Sequence, residues 1–307
     1  MTIGFIGLGR MGHGMASNLQ KSGVDLVVYD AIPQAMTDFD NKANSLKELA
    51  QKCDLIFTSL PGPAQFEEVV LAPGGVLENI KPGSTLFDLS TNSLSLMRKA
   101  KDLFEENQCF FMDSPVSGGP AGASSGDLVL WIGGRKEIYE KNLDILKLFS
   151  KYPRYVGELG AGTVTKLAHN MMGYTIMLAE AEVFSMAVKS GVDPLDLWES
   201  LRFGFVGKRS PLDLLVNQFL PGDYKTPAFA MKFAYKDVML ATSLAKEAGV
   251  PMRLSSLTLD EMTEAMGKGY SEWDSRSFLQ LQLQRAGVDI AVDPKRLQQA
   301  IERSKII

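Results

Sequence analysis

The sequence predicts an α/β fold in two parts, a doubly wound parallel sheet followed by an all-α domain. Three observations indicate this arrangement. Short apolar runs bounded by Gly, Pro or Asp alternate with helical stretches up to about residue 157. Strand signals almost vanish after Thr163, where a long stretch rich in Ala, Met, Leu and Glu begins. Gly160 and Gly162 form a glycine-rich joint between the two regions, so we predict domains at residues 1–162 and 163–307, joined by a long helix.

The first strand, helix and second strand form a dinucleotide-binding fingerprint. Ile3–Ile6 leads into a glycine turn, a helical stretch and the apolar run Leu26–Tyr29, which ends at Asp30. In such a unit the glycines allow a tight turn, backbone approach to a pyrophosphate and close helix–strand packing. The phosphates meet unpaired N–H groups at the helix N-terminus. This pattern predicts a Rossmann domain whose cofactor contacts include Gly7, Leu8, Gly9, Arg10, Met11, Gly12 and Asp30.

Asp30 also favours NAD as the cofactor. A carboxylate at the end of the second strand accepts hydrogen bonds from an adenosine ribose but repels a 2′-phosphate. Residues 31–36 contain no arginine that could neutralise such a phosphate. The other interpretation is that Asp30 only starts the turn before Pro33.

Further short apolar runs supply the remaining strands of the first domain. They are Leu55–Leu60, Thr85–Asp88, Phe110–Met112 and Leu128–Ile132. Ligands of doubly wound sheets gather outside the carboxyl ends of the strands. Four residues follow strand ends, so we expect them to face the cofactor: Leu60, Pro61, Ser90 and Thr91. The alternative for each of them is an ordinary loop residue with no role in binding.

The second domain is predicted to be helical throughout. The helical stretches are residues 163–190, 194–203, 228–248, 255–267 and 275–286, followed by a charged, solvated helix after Asp293. The first stretch has apolar residues on more than one face, which indicates a helix buried between partners. We therefore expect a homodimer or a homotetramer.

Three segments beyond the fingerprint carry candidate chemistry. Ser117, Gly118 and Gly119 follow a strand, and backbone N–H groups beside such small residues can hold a carboxylate, although a flexible turn is the alternative. Lys166 and Asn170 lie one helical turn apart on a single helix face. His169 lies between them, and Lys236-Asp237 occurs in a later helix.

These segments closely resemble the β-hydroxyacid dehydrogenase family, the group that includes 3-hydroxyisobutyrate dehydrogenase and tartronate semialdehyde reductase. The resemblance covers nearly the whole chain and uses the glycine fingerprint, the Ser117 loop, the Lys166 helix and Lys236-Asp237 in that order. It implies that Ser117, Gly118 and Gly119 hold the substrate carboxylate, that Lys166 is catalytic and that Asn170 helps to bind substrate. It also implies that Leu60, Pro61 and Thr91 contact the cofactor, with Lys236 near the cofactor or substrate.

His169 departs from the family pattern, since many members have a second asparagine there. The related 6-phosphogluconate dehydrogenases carry His before Asn, and those enzymes are far longer. His169 is therefore a candidate substrate contact that sets this chain apart from 3-hydroxyisobutyrate dehydrogenase. Imine reductases, another related group, lack the catalytic lysine.

Alcohol oxidation requires a group that exchanges the hydroxyl proton while a hydride leaves carbon. Lysine can do this if burial and a nearby nicotinamide cation lower its pKa from about 10.4. Lys166 is thus expected to be the general acid and base of an NAD-dependent dehydrogenase that converts a small 3-hydroxy acid into its semialdehyde or keto acid. The alternatives are an NADPH-linked reductase of glyoxylate or succinic semialdehyde, and a non-catalytic dinucleotide-binding scaffold.

Composition argues against several other classes of protein. The 307 residues carry a formal net charge of −4 and have an isoelectric point near 5.4. The chain therefore lacks the excess positive charge expected of a protein that binds nucleic acid or an anionic membrane. Two cysteines are too few for a disulfide framework and suit a reducing cytoplasm. No cluster has the spacing of metal ligands, so no metal is expected. We expect neither export nor membrane insertion, since no charged leader precedes Ile3 and no apolar run reaches about 18 residues.

Overall fold

A computed structural model describes residues 1–208, 215–287 and 289–305, apart from a few side chains within helices. The chain divides into two compact units, Met1–Met172 and Gly173–Ile307. The division lies inside the long helix, so the first unit includes the start of that helix as well as the sheet. Each unit is described separately.

The first unit is built on an eight-stranded sheet. Its strands are β1 (Ile3–Ile6), β2 (Leu26–Tyr29), β3 (Leu55–Thr58), β4 (Thr85–Asp88), β5 (Phe110–Asp113), β6 (Val116–Ser117), β7 (Leu128–Gly133) and β8 (Ser150–Gly157). The order β2-β1-β3-β4-β5 is parallel throughout, which confirms the predicted doubly wound sheet. Beyond it, β7 pairs antiparallel with β5 and β6 and parallel with β8. The sequence analysis did not identify β6 or β8.

Helices cover both faces of this sheet. They are α1 (Gly12–Lys21), α2 (Leu46–Lys52), α3 (Pro63–Phe66), α4 (Val76–Asn79), α5 (Leu94–Glu106), α6 (Gly119–Ser125) and α7 (Lys136–Leu146). Successive strand residues point to opposite faces, so Phe57 packs into one core and Ile56 into the other. Burial on both faces explains why these strands are continuous apolar runs rather than alternating ones.

The helix α6 corrects one interpretation of the sequence. We considered the segment after Ser117 as either an anion-holding loop or a flexible turn, but Gly119–Ser125 is helical. This helix packs against α1, where Asn18 Nδ2 donates to the carbonyl oxygen of Ala123 at 2.9 Å. Gly14 allows this close packing, because a Cβ added there would lie 2.8 Å from the carbonyl carbon of Ala123.

The second unit contains helices, as predicted. The long α8 (Ala161–Lys189) enters it and is followed by α9 (Pro194–Phe203), α10 (Met231–Glu247), α11 (Arg253–Gly267), α12 (Leu279–Ala286) and α13 (Pro294–Lys305). The α12 helix begins at Leu279 rather than at 275. The carboxylate of Asp274 accepts hydrogen bonds from the backbone N–H groups of Ala228 and Arg276, and these bonds hold the preceding residues in a turn.

The helix α8 exposes large apolar side chains in the single chain. Met171, Tyr174 and Met177 are 68%, 67% and 61% exposed. By length and composition alone α8 could cross a membrane, which differs from our expectation that no apolar stretch is long enough. One such helix is by itself weak evidence for a membrane span.

The start of α8 lies unusually close to the sheet. A Cβ added to Gly162 would lie 2.3 Å from the carbonyl oxygen of Trp131 and 2.6 Å from that of Asp113. Glycine is therefore required where α8 begins against β5 and β7. Gly173, farther along the same helix, has no such neighbour within 4 Å.

We predict opposite effects for alanine at these two glycines. Gly162→Ala should lower the free energy of unfolding by about 1–3 kcal/mol, the usual cost of overpacking against an immobile backbone. Gly173→Ala is the matched control and should raise it by about 0.5–1 kcal/mol, because alanine loses less backbone entropy in a helix. Urea unfolding followed by circular dichroism measures the free energy of unfolding of both variants. Urea midpoints that shift in the same direction in the two variants would contradict the close approach of α8 to β5 and β7.

Candidate active site

A cleft of about 620 Å³ opens in the first unit beyond the carboxyl ends of β1, β2 and β3. Most of the predicted cofactor contacts line this cleft. They are Gly7, Gly9, Arg10, Met11, Gly12, Asp30, Leu60 and Pro61. The structure adds residues that sequence reasoning missed, among them Ile32, Ser59, Gln65 and Glu68.

The glycine turn leaves space where a ligand needs it. A Cβ at Gly12 would lie 1.9 Å from the carbonyl oxygen of Gly7, so Gly12 is required by packing within the protein. A Cβ at Gly9 would meet nothing within 4 Å. Gly9 therefore keeps the backbone open to the cleft, which fits the approach of a pyrophosphate to this turn.

Asp30 is held in place by the turn itself. Its Oδ2 accepts a hydrogen bond from the backbone N–H of Leu8 at 2.6 Å, and its Oδ1 accepts one from Ile32 at 2.8 Å. Each carboxylate oxygen can accept a further bond. Leu8 is buried and does not line the cleft, so it serves the site through this backbone contact.

A buried acid at the end of β4 organises the neighbouring loops. Asp88 accepts hydrogen bonds from Thr58 Oγ1 at 2.8 Å, Ser90 Oγ at 2.7 Å and Asn92 Nδ2 at 2.6 Å. Burial raises the pKa of Asp88 above its usual range, and these hydrogen bonds oppose that rise. Ser90, which we expected to face the cofactor, is buried and accepts a bond from the backbone N–H of Leu60 at 2.9 Å.

A second buried acid fixes the beginning of α8. Asp113 ends β5, and its two oxygens accept hydrogen bonds from the backbone N–H groups of Gly160 at 2.8 Å and Thr163 at 2.6 Å. Burial raises the pKa of this carboxyl group, and both N–H bonds oppose the rise. The first N–H groups of a helix have no partner within the helix, so Asp113 satisfies one of them and ties α8 to the sheet.

Lys166 and His169 both lie near one aromatic ring, that of Trp131. Lys166 Nζ lies 6.0 Å from the centre of the Trp131 ring, and the His169 ring lies 5.0 Å from it. His169 Nδ1 is 3.1 Å from Asn170 Oδ1. Burial lowers the pKa of Lys166 below its ordinary value of 10.5. The structure thus brings Lys166, His169 and Asn170 together with a residue on β7 that the sequence analysis did not single out.

The predicted carboxylate loop adjoins the same ring. Ser117 pairs with Val129 across the antiparallel β6–β7 ladder, and Trp131 follows Val129 by two residues. Side chains at alternate positions share a sheet face, so Ser117 and Trp131 are diagonal neighbours about 7–8 Å apart. Gly118 and Gly119 are exposed at the end of this ladder.

One predicted cofactor contact is not brought into this arrangement. Thr91 is exposed and is not among the residues that line the cleft. Lys236 falls within α10, and its side chain lies outside the described part of the structure. Within residues 1–208, 215–287 and 289–305, no group of three His, Cys, Asp or Glu side chains is placed to hold a metal ion.

Two comparisons with family models cover most of the chain. Residues 2–162 match the NAD-binding domain of 6-phosphogluconate dehydrogenase. Residues 160–282 match the model described as the NAD-binding domain of NADP-dependent 3-hydroxyisobutyrate dehydrogenase. The chain belongs to the β-hydroxyacid dehydrogenase family. It is therefore an oxidoreductase that binds a nicotinamide dinucleotide, as the fingerprint predicted.

Relatives across the family agree with this assignment. A 2-(hydroxymethyl)glutarate dehydrogenase from Eubacterium barkeri is 30% identical over 297 residues, which cover 94% of this chain and 97% of the relative. The mitochondrial 3-hydroxyisobutyrate dehydrogenase of Mus musculus is 32% identical over 287 residues, 91% of this chain and 86% of the relative.

Solved structures share the fold. A 3-hydroxyisobutyrate dehydrogenase from Salmonella typhimurium is 26% identical and superposes with a TM-score of 0.58, covering 92% of this chain and 99% of its own. An imine reductase variant from Myxococcus stipitatus in complex with NAD+ gives a TM-score of 0.81 at 15% identity, covering 91% of this chain and 99% of its own. The second comparison concerns the fold alone.

Proposed function

We propose that this member of the family is an NAD-dependent dehydrogenase that reversibly oxidises a small 3-hydroxy acid to its semialdehyde or keto acid. The observation that carries the proposal is the half-buried Lys166, whose pKa is lowered by burial and which lies one helical turn from Asn170. We propose a cytoplasmic site of action. Turnover of a panel of 3-hydroxy acids, followed through NADH formation, tests the reaction.

The cleft residues fit a dinucleotide. The open space at Gly9 and the helix N-terminus at Gly12 suit a pyrophosphate, and Asp30 has acceptor capacity left for a ribose hydroxyl. A nicotinamide dinucleotide held by these residues would supply the acceptor for the hydride of the substrate. Arg10 lines the same cleft and supplies a positive charge toward phosphates.

The chain's own residues perform the proton transfer and the positioning. Neutral Lys166 accepts the hydroxyl proton at Nζ during oxidation, and the resulting ammonium returns it in the reverse reaction. Asn170, on the same helix face, orients the substrate, with His169 as a further contact. The backbone N–H groups of Ser117, Gly118 and Gly119 hold the substrate carboxylate.

The names of two relatives support the substrate class. Both 3-hydroxyisobutyrate and 2-(hydroxymethyl)glutarate are 3-hydroxypropionates that differ in the substituent on C2. The carboxylate loop would bind the carboxylate of this common 3-hydroxypropionate skeleton, and the general base would act on its hydroxyl group, whichever substituent C2 carries. We infer that the substrate is a small carboxylate of the same kind.

Two alternatives are less well supported. An NADPH-linked reductase of glyoxylate or succinic semialdehyde would place a 2′-phosphate near the Asp30 carboxylate, which repels it. Solved relatives of the same fold bind NAD+ in one case and NADP+ in another, so the fold does not decide between the cofactors. A non-catalytic scaffold would have no need for a lysine with a lowered pKa.

We predict a preference for NAD over NADP of at least about tenfold in kcat/KM, roughly 1.4 kcal/mol. The cause is the Asp30 carboxylate, which is held in the cleft by Leu8 and Ile32. Asp30→Ala combined with Ile32→Arg should narrow the difference, and Ile32→Arg alone is the control that keeps the carboxylate. Equal kcat/KM values for NAD and NADP in the wild type would exclude NAD as the preferred cofactor.

We predict that Lys166→Ala lowers kcat by roughly 10² to 10⁴, the usual range for general acid–base catalysis, with NAD affinity changed only a few-fold. Lys166→Arg should not restore activity, because a guanidinium is effectively never deprotonated. Asn170→Ala should mainly raise KM. Steady-state kinetics and calorimetric NAD binding measure these effects. Near-full turnover by Lys166→Ala would assign the base to His169 or to water.

The lowered pKa of Lys166 also predicts the pH dependence. Burial disfavours the ammonium, so the neutral amine needed for oxidation forms at lower pH than in a free lysine. Oxidation should therefore increase with pH with a midpoint below 10.5, and reduction, which needs the ammonium, should decrease across the same interval. A midpoint at or above 10.5 in the pH profile of kcat/KM, which reports the free enzyme, would contradict the burial of Lys166.

We propose that the protein is a homodimer or a homotetramer. The single chain exposes several large apolar side chains of α8, including Met171 and Met177, and exposed apolar patches mark interaction surfaces. Light scattering at micromolar concentration should show at least a dimer, and Met171→Glu with Met177→Glu should shift it toward monomer. Only monomer in the wild type would refute the proposal.

A further inference from the structure

Trp131 has a position that packing of the core does not require. Along β7, Leu128, Leu130 and Ile132 are buried in the core, whereas Val129 and Trp131 lie on the opposite face and are only half-buried. A large aromatic ring on such a face is available to a ligand. The neighbours of the ring indicate which ligand this is.

The ring adjoins two parts of the proposed site. An oxygen that hydrogen-bonds to Lys166 Nζ at about 2.8 Å lies between about 3 and 9 Å from the ring centre, given the 6.0 Å from Nζ to that centre. The Ser117 position is a diagonal neighbour of Trp131 in the β6–β7 ladder. A 3-hydroxy acid held by its hydroxyl at Lys166 and by its carboxylate at Ser117 therefore has its C2 atom beside the indole.

We propose that Trp131 is a specificity-determining residue whose indole forms the wall against the substituent on C2 of the substrate. The inference rests on the proposed function. It assigns to the Trp131 indole the contact with the C2 substituent, in which 3-hydroxy acids of this kind differ. An indole supplies a flat apolar surface but also occupies volume. Trp131 should therefore favour hydrogen or methyl at C2 and disfavour longer groups.

His169 helps to define this wall. The centres of the His169 and Trp131 rings are 5.0 Å apart, with an interplanar angle of 48°. The Oδ1 atom of Asn170 lies 3.1 Å from His169 Nδ1. The indole thus has two neighbours on α8, the His169 ring and the Lys166 ammonium at 6.0 Å. If Trp131 only positioned Lys166, its removal would affect every substrate equally.

The kinetic test compares three acids with hydrogen, methyl or ethyl on C2: 3-hydroxypropionate, 3-hydroxyisobutyrate and 2-ethyl-3-hydroxypropionate. Trp131→Ala should raise the kcat/KM ratio of the ethyl to the unsubstituted acid at least about tenfold, the scale of one methylene in an apolar pocket. Trp131→Phe should raise it less. Trp273→Phe, which removes an indole from the second unit, should leave it unchanged. A uniform loss for all three acids would overturn the proposal.

A binding measurement separates this inference from the proposed reaction. Isobutyrate lacks the hydroxyl group and cannot be oxidised, so its binding to the NAD complex is independent of turnover. It should change the tryptophan emission of the wild type and of Trp273→Phe, and Trp131→Phe should abolish the change. If the change persists in Trp131→Phe, the wall is elsewhere. If the emission behaves as expected but no 3-hydroxy acid is oxidised, the proposed function fails and the Trp131 contact stands.

Discussion

The attachment of α8 to the sheet is the constraint on which the site depends. The carboxylate of Asp113 accepts the N–H groups of Gly160 and Thr163, and Gly162 lets the helix begin against two strand carbonyls. Lys166 follows Thr163 by less than one turn, so this anchor determines where its amine lies. The same carboxylate ends β5, which places the helix start at the edge of the sheet where ligands gather. The buried Asp113 therefore holds the helix to the sheet and also determines the position of Lys166.

Much of this architecture could be predicted because each signal is local. The glycine fingerprint, the apolar strands and the helical periods depend on residues close together in the chain, and Lys166 and Asn170 are one turn apart. The shift of the α12 start from 275 to 279 shows the limit of such signals. That change depends on hydrogen bonds from Ala228 and Arg276 to Asp274, and Ala228 is far from Asp274 in sequence.

The rest of the site depends on contacts between distant segments. Trp131 is far in sequence from Lys166, and only the paired strands and the anchored helix bring them together. Its partial exposure was not visible in the sequence, because Leu128–Gly133 is a continuous apolar run and an aromatic residue in such a strand is usually core. Asp88 and Asp113 end apolar strands just as Asp30 does, and that shared position was the available signal. Their partners, a loop serine in one case and a helix start in the other, are set by tertiary structure.

The hydrogen bond from Leu8 to Asp30 couples cofactor choice to the integrity of the turn. Removal of the carboxylate to admit a 2′-phosphate also leaves the Leu8 N–H without its acceptor, in a partly buried place. An evolutionary change of cofactor in this lineage would then need two substitutions, one for the phosphate and one that supplies a new acceptor for Leu8. A single change would pass through a less stable intermediate protein, so this hydrogen bond favours retention of the acid at position 30 for a reason unrelated to catalysis.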